Sequence, residues 1–393
     1  MASPSTANGL VDPFRLVRLA EEKVHNVSSP FFPHHQPASS SGASRAIARQ
    51  QQQSQLLNGA WDLDAFRRDL VIKITRMSSE RVEFDLIGVD ASIANAIRRV
   101  LIAEVPTVAI ENVYIFKNSS IIQDEVLSHR LGLVPIKIDP DMMQMKSTGD
   151  TPDDMNTLVF VLNVECTRNP AYHIGRKNKG AVVSAATQET DPEKLYENPN
   201  VLSGMLDWVP QGNQQEWNFA TANNPSADKP RPVHDRILLA KLRPGQGVEA
   251  EVHCEKGIGK DHAKFSPVAT ASYRLLPHID ILAPIEGEQA QADFIRCFPP
   301  GVIGRRPKKG GAKGEMEVYV QDPRKDTVSR EVLRHEQFKD KIQLGRIRDY
   351  FLFDIESTGI IPPERLLLSS LKVLTDKIQT LQQALDIMEN PRD

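Results

Sequence analysis

The sequence predicts an α+β fold, and three observations carry that prediction. Residues 69–76 and 81–87 alternate apolar and polar side chains on either side of a short turn at 77–80, the pattern of two antiparallel strands. The stretch that follows runs at helical spacing to Val105 and stops at Pro106, which disfavours helix in the residue before it. Near the end of the chain, Leu367, Leu371, Leu374, Ile378, Leu381, Leu385 and Met388 step by 4, 3, 4, 3, 4 and 3 residues. That is an unbroken heptad seam on one long helix over 362–389.

Composition bounds the class. A length of 393 residues sets a prior of roughly two or three domains. With 40% hydrophobic and 25% charged residues, the chain has the material for a sizeable core. Lys and Arg number 48 against 51 Asp and Glu; the net charge of −3 provides no bulk field for gripping nucleic acid. Cys166, Cys254 and Cys297 are far apart and form no CxxC pair, so neither a disulfide framework nor a thiolate metal site is expected. No apolar run approaches about 18 residues, and the N-terminus lacks the basic start and apolar run of a signal peptide. The chain reads as soluble and intracellular, with no membrane partner and no cofactor.

The elements follow in order. Residues 1–59 read as a disordered tail, with a Ser/Ala stretch at 38–44, a glutamine run at 50–53 and the pair His34–His35, which has no third ligand nearby. After the strand pair, Asp90 or Ser92 can cap the first helix, and 107–117 reads as a strand of β-branched and aromatic residues. A polar loop is expected over 139–154, a strand at Thr157–Glu165, and few periodic segments over 167–232. Residues 237–242 and 248–255 read as a hairpin around the Pro/Gly turn 243–247. In its second strand Val248, Ala250, Val252 and Cys254 share one face, which makes Cys254 a core residue. Two more strands (268–276 and 278–285), a glycine and lysine loop (304–314), a polar helix (328–342), a strand (350–356) and the long helix complete the reading.

The two long helices decide what the chain does. The C-terminal seam fits a helix packed on its own domain equally with one shared by another chain, since periodicity cannot separate the two. In the first helix Ile93, Ala94, Ala96, Ile97, Val100, Leu101 and Ala103 spread over about half the circumference, more than one sheet needs. Asn95, Arg98, Arg99 and Ile102 share the other half, where an arginine pair beside an amide suits either a specific polar contact or a solvated surface.

Catalytic motifs are missing from the sequence. Gly257-Ile258-Gly259-Lys260 lacks the GxxxxGK[ST] spacing of a phosphate loop, His335-Glu336 has no histidine three residues later, and no GxSxG occurs. Arg305, Arg306, Lys308, Lys309 and Lys313 read as a solvated loop, or as a nuclear-import or nucleic-acid contact. With no acid/base or nucleophile constellation, the chain reads as a binding or assembly protein.

Several segments then carry a resemblance. Phe84-Asp85-Leu86-Ile87, followed by Ser92-Ile93-Ala94-Asn95-Ala96-Ile97-Arg98-Arg99-Val100-Leu101, closely resembles the α-like subunits of DNA-directed RNA polymerases. Residues 123–135, Gln-Asp-Glu-Val-Leu-Ser-His-Arg-Leu-Gly-Leu-Val-Pro, resemble the segment that follows in eukaryotic and archaeal members. Lys260-Asp261-His262-Ala263-Lys264-Phe265-Ser266-Pro267 and Ser357-Thr358-Gly359-Ile360-Ile361-Pro362-Pro363-Glu364 fit as well, in the right order. The stretches at 166–170, 298–304 and 326–331 resemble the branch shared by RNA polymerases I and III, whereas the polymerase II counterpart carries a zinc-binding cysteine cluster that this chain lacks.

The resemblance implies a discontinuous RNA polymerase α-like dimerisation domain, residues 60–117 and 268–389, interrupted by an insert domain over 118–267. It implies a non-catalytic assembly subunit that pairs with a smaller α-like subunit. Ile93, Ile97, Val100 and Leu101 of the first helix would form that interface with Leu367, Leu371, Leu374, Ile378, Leu381 and Leu385 of the last. The heterodimer would be the platform for the second-largest and largest subunits and for small zinc-binding subunits, with Asn95, Arg98 and Arg99 at the large-subunit contact. DNA would be met only through the whole complex, in the nucleus: the nucleolus for polymerase I, the nucleoplasm for polymerase III. The products would be ribosomal RNA precursors, 5S rRNA and tRNA. The alternative is the equivalent α-like subunit of another nuclear RNA polymerase.

Overall fold

In the computed structural model, residues 15–27, 63–147, 149–170, 191–217, 229–308 and 315–389 are described. His34–His35, the stretches at 38–44 and 50–53, and Lys309 and Lys313 lie outside them. Two short strands come first, β1 (Leu16–Leu19) and β2 (Val24–His25). Helix α1 (Leu63–Asp69) leads into β3 (Val71–Met77) and β4 (Arg81–Ile87). Asp90 caps α2 (Ala91–Ala103), its Oδ1 accepting from the Ser92 N–H at 2.9 Å. Next come β5 (Thr107–Asn118), α3 (Asp124–Gly132), β6 (Ile136–Lys137), β7 (Thr157–Glu165) and β8 (Thr167–Arg168). The one-turn α4 (Pro192–Leu195) precedes four short strands, β9 (Tyr196–Glu197), β10 (Asn200–Leu202), β11 (Leu206–Val209) and β12 (Arg231–Pro232). Then follow β13 (Leu238–Lys241), β14 (Gly247–Gly257), β15 (Val268–Ile281), α5 (Glu288–Arg296), β16 (Ile303–Pro307) and β17 (Met316–Val320). The chain closes with the one-turn α6 (Glu336–Lys339), β18 (Ile342–Ser357) and α7 (Pro363–Glu389).

The chain divides into two compact units. Among the described residues, the first takes 15–27 and 63–76 together with 83–96, 272–308 and 315–354. Its six-stranded sheet runs β2-β1-β18-β4-β3, with β15 also paired to β18. Phe84 stacks on Phe353 with ring centroids 4.9 Å apart, and Phe294, Phe338, Val302 and Val332 are fully buried in a core beside the sheet. The second unit takes 77–82, 97–271 and the chain from 355 onward. Its four-stranded antiparallel sheet runs β11-β7-β14-β5, and α3 packs Leu127 and Leu131 into its core.

Several sequence expectations are corrected. The tail is not featureless through residue 59: Leu16, Val17 and Leu19 are buried and β1 pairs with β18. The 237–242 and 248–255 strands do not form a hairpin. β13 pairs with β10, while β14 lies between β5 and β7, because a central strand of 11 residues needs neighbours of similar length on both sides. The two strands expected at 268–285 are one continuous β15 across Pro277, since proline breaks a ladder only where its missing N–H would face a partner. The expected helix at 328–342 reduces to single turns, because Val328 and Arg330 adopt positive φ of 57° and 60°. Of the loop expected at 304–314, residues 304–307 belong to β16, which pairs with β17 from Ile303↔Val320 to Pro307↔Met316, and 309–314 lie outside the described residues.

Candidate interaction surface

α7 is anchored at its base and bare along its far half. Pro363, Leu366 and Ser370 are buried in the first turns. Arg365 donates to both oxygens of Asp139, at 2.9 and 3.4 Å, with the Asp139 side chain 4% exposed, and Lys372 lies 3.7 Å from Asp141. One turn further, Lys377 pairs with Glu104. From Thr375 to Glu389 every residue is exposed, a projection of about 22 Å at 1.5 Å per residue. Within the expected seam, Leu367 and Leu374 are half-buried and Leu371 is partly exposed. Ile378, Leu381 and Leu385 stand 56%, 65% and 57% exposed, and Met388 more so. The internal-packing reading therefore holds for the base of the helix and fails beyond it.

α2 is the reverse case. Ile97, Val100 and Leu101, expected at a partner interface, are buried in this chain's own core. In the chain by itself these three side chains have almost no accessible surface. Ile93 and Ile102 are the exposed large apolar residues of this helix, Asn95 and Arg98 are half-buried, and Arg99 is exposed.

The remaining motifs serve as local scaffolding. A Cβ on Gly259 would lie 2.2 Å from the carbonyl oxygen of Ile102, and the Lys260 N–H donates to Ala103 O at 2.7 Å. Gly257-Ile258-Gly259-Lys260 is thus a close backbone approach to the end of α2, and the phosphate-loop spacing it lacks is not missed. Thr107 Oγ1 donates to Phe265 O at 2.6 Å, and the Thr358 N–H and hydroxyl both donate to Pro267 O at 3.0 Å. The 260–267 and 357–364 motifs therefore meet just before α7. In the basic hairpin Arg306 pairs with Glu317 and Lys308 with Glu315, each at 2.6 Å, and Arg306 sits over the Tyr319 ring. Arg306 and Lys308 are thus paired within the hairpin, whereas Arg305 donates to the backbone oxygen of Glu288 at 2.9 Å.

Two features were not legible in advance. α3 has just two buried residues, Leu127 and Leu131, one turn apart, too few to show a helical period. The other is a polar cluster in which wholly buried Asp85 accepts from Arg324 and Tyr350, residues distant in the chain. Among the described residues no three His, Cys, Asp or Glu side chains converge to hold a metal ion, and the three cysteines are separately buried. No helix among these residues is long and apolar enough to cross a membrane.

The chain is α+β, and its last helix carries an exposed heptad seam beyond a scaffolded base. The RNA polymerase Rpb3/Rpb11 dimerisation domain matches residues 83–378, and the chain belongs to that family of α-like polymerase subunits. It is 48% identical over 328 residues to the DNA-directed RNA polymerases I and III subunit RPAC1 of Saccharomyces cerevisiae, across 82% of this chain and 89% of the yeast protein. The Bos taurus subunit of the same name is 46% identical over 331 residues, 84% of this chain and 88% of the bovine one. The DNA-directed RNA polymerases II, IV and V subunit 3 of Arabidopsis thaliana is 30% identical over 337 residues, 82% of this chain and 94% of its own.

Proposed function

We propose that the chain is the α-like assembly subunit shared by RNA polymerases I and III, a non-catalytic part of the nucleotidyltransferase complex. The observation that carries this is the seam of α7: Ile378, Leu381 and Leu385 exposed on a helix whose base is pinned by Arg365. An isolated run of about four turns is marginal in water, so a helix of this kind calls for a packing partner. Burying these three side chains would supply roughly 5–9 kcal/mol gross. The partner is a smaller α-like subunit presenting a matching helix. Leu367, Leu371 and Leu374 continue the seam toward the base of α7, and Ile93 is the part of the expected α2 interface still available to a partner.

In this reading residues 60–117 and 268–389 form the dimerisation domain and 118–267 the insert. Asn95, Arg98 and Arg99 face the second-largest subunit. The largest subunit and small zinc-binding subunits join the same platform. The protein is nuclear, nucleolar within polymerase I and nucleoplasmic within polymerase III. The drop from 48% identity with the yeast polymerase I and III subunit to 30% with the Arabidopsis polymerase II, IV and V subunit favours this reading over an α-like subunit of another nuclear polymerase. Coexpression with candidate small α-like subunits, followed by affinity capture and subunit identification from nuclear extract, tests it. Recovery of polymerase I and III large subunits is expected, and exclusive recovery of polymerase II subunits would refute it.

A further inference from the structure

We propose that residues 15–27 are an intramolecular β-clasp. This separable segment docks in extended form on β18 and keeps the backbone of Leu344–Ile347 from pairing with another chain. It lies outside residues 83–378, the stretch that matches the family. β1 runs antiparallel to β18 in the register Leu16↔Ile347, Val17↔Arg346, Arg18↔Gly345 and Leu19↔Leu344. Leu16, Val17 and Leu19 are buried and Leu19 joins the core that holds Phe294 and Phe338, while Arg18 is exposed.

The body of the first unit is shaped to receive this segment. A Cβ at Gly345 would stand 2.7 Å from Leu16 Cδ1 and 2.9 Å from Val17 O, so the slot exists because residue 345 has no side chain. Arg15 pairs with Asp349 at 2.8 Å, and the Arg348 N–H donates to Arg15 O at 2.8 Å. Past the turn, Asn26 Nδ2 donates back to Leu16 O at 2.8 Å, Arg330 Nη1 reaches Ala20 O at 3.2 Å, and Lys339 faces Glu21 at 3.6 Å. β2 then pairs with the outer side of β1 through Arg18↔His25 and Leu19↔Val24. An extended strand with a bare backbone is a template for pairing, and natural sheets cover such edges. Here the cover is the chain's own segment, tethered through roughly 35 intervening residues that raise its local concentration.

The test keeps the full chain in its coexpressed heterodimer and adds a protease site between residues 38 and 44. After cleavage the N-terminal fragment is expected to stay bound through gel filtration. Gly345→Val closes the slot, and should weaken retention by more than about tenfold. Because a change within β18 could harm folding, Leu16→Asp with Leu19→Asp makes the same test from the clasp side and leaves β18 untouched. Once the fragment is released, the body should self-associate in a concentration-dependent way. Loss of the fragment from the unmutated body, or its retention by both variants, would overturn the clasp. A released body that remains a single heterodimer at all concentrations would overturn its shielding role.

Discussion

The guanidinium of Arg324 grips the carboxylate of Asp85 through two parallel hydrogen bonds, of 2.7 and 2.6 Å, although 239 positions separate them in the chain. Asp85 has no accessible surface, and the Tyr350 hydroxyl donates to the same carboxylate at 2.8 Å. A buried carboxylate is tolerated when donors of this kind surround it. Arg324→Ala leaves that charge with one side-chain donor and is expected to cost about 3 kcal/mol. The check is the urea midpoint of the heterodimer; a change under about 0.5 kcal/mol would mean that solvent compensates Asp85.

The same cluster sets a pH dependence. Burial, and next the hydrogen bond to Asp85, push the Tyr350 phenol up to about 12. An unfolded tyrosine ionises near pH 10, so the folded state holds the proton more tightly. The resulting stability is fully present below pH 10 and lost as pH rises from 10 to 12. Partial exposure of the ring reduces it to about 1–2 kcal/mol. Tyr350→Phe should flatten this part of a melting temperature profile, and an unchanged alkaline slope would assign it to other groups.

Ile378, Leu381 and Leu385 are accessible in the chain itself, which separates folding from pairing. Leu381→Asp with Leu385→Asp should leave the thermal unfolding of the two compact units within a few degrees of the parent. In the heterodimer each charge would be desolvated at a cost of several kcal/mol. Copurification with the smaller subunit should fail, and normal yield would place the seam outside the interface.

Arg99 is exposed on α2, one position beyond half-buried Arg98. Its planar fork suits a carboxylate or carbonyl on another chain. Arg99→Ala is expected to spare the small heterodimer and lower retention of the second-largest subunit by a hundredfold or more, for a loss of about 3–5 kcal/mol. Stepwise reconstitution measures both stages. Loss at the first stage would make Arg99 a support of the pair, and no loss at either would leave it a solvated charge.

Burial pushes the thiol of Cys254 far above the ordinary range, and Cys166 and Cys297 are raised by the same cause. All three should resist alkylation in the native protein near pH 8, where an exposed thiol reacts readily. Changing all three to Ala should preserve assembly with modest packing losses, and elemental analysis should find no stoichiometric zinc or iron. Rapid labelling of Cys254 without unfolding, or one metal per chain, would contradict this.

How much could be read in advance depended on the range of the signal. β4, β7 and α7 carry their period within themselves, and their expected bounds hold to within a residue. The partnering of β14 did not follow from its neighbour in sequence, because a central strand answers to β5 and β7, which are distant in the chain. β1 was hidden for a related reason. Four residues cannot display alternation against a polar background, and their burial depends on a slot at Gly345 more than 300 positions away. In α2 the apolar arc showed that the helix is covered on a wide face. Whether Ile97, Val100 and Leu101 are covered by this chain or by another is a question of tertiary packing.

Under the proposed pairing, the bare half of α7 makes the native state of this chain a function of supply. A helix that lacks its own cover gains stability by mass action, about 2.7 kcal/mol when the free partner stands at a hundred times its dissociation constant and almost nothing when it is scarce. Between Thr375 and Glu389 the chain therefore reports the stoichiometry of its surroundings: amide exchange there should be fast in a surplus copy and slow in a matched one, while the base held by Arg365 and Asp139 stays protected in both.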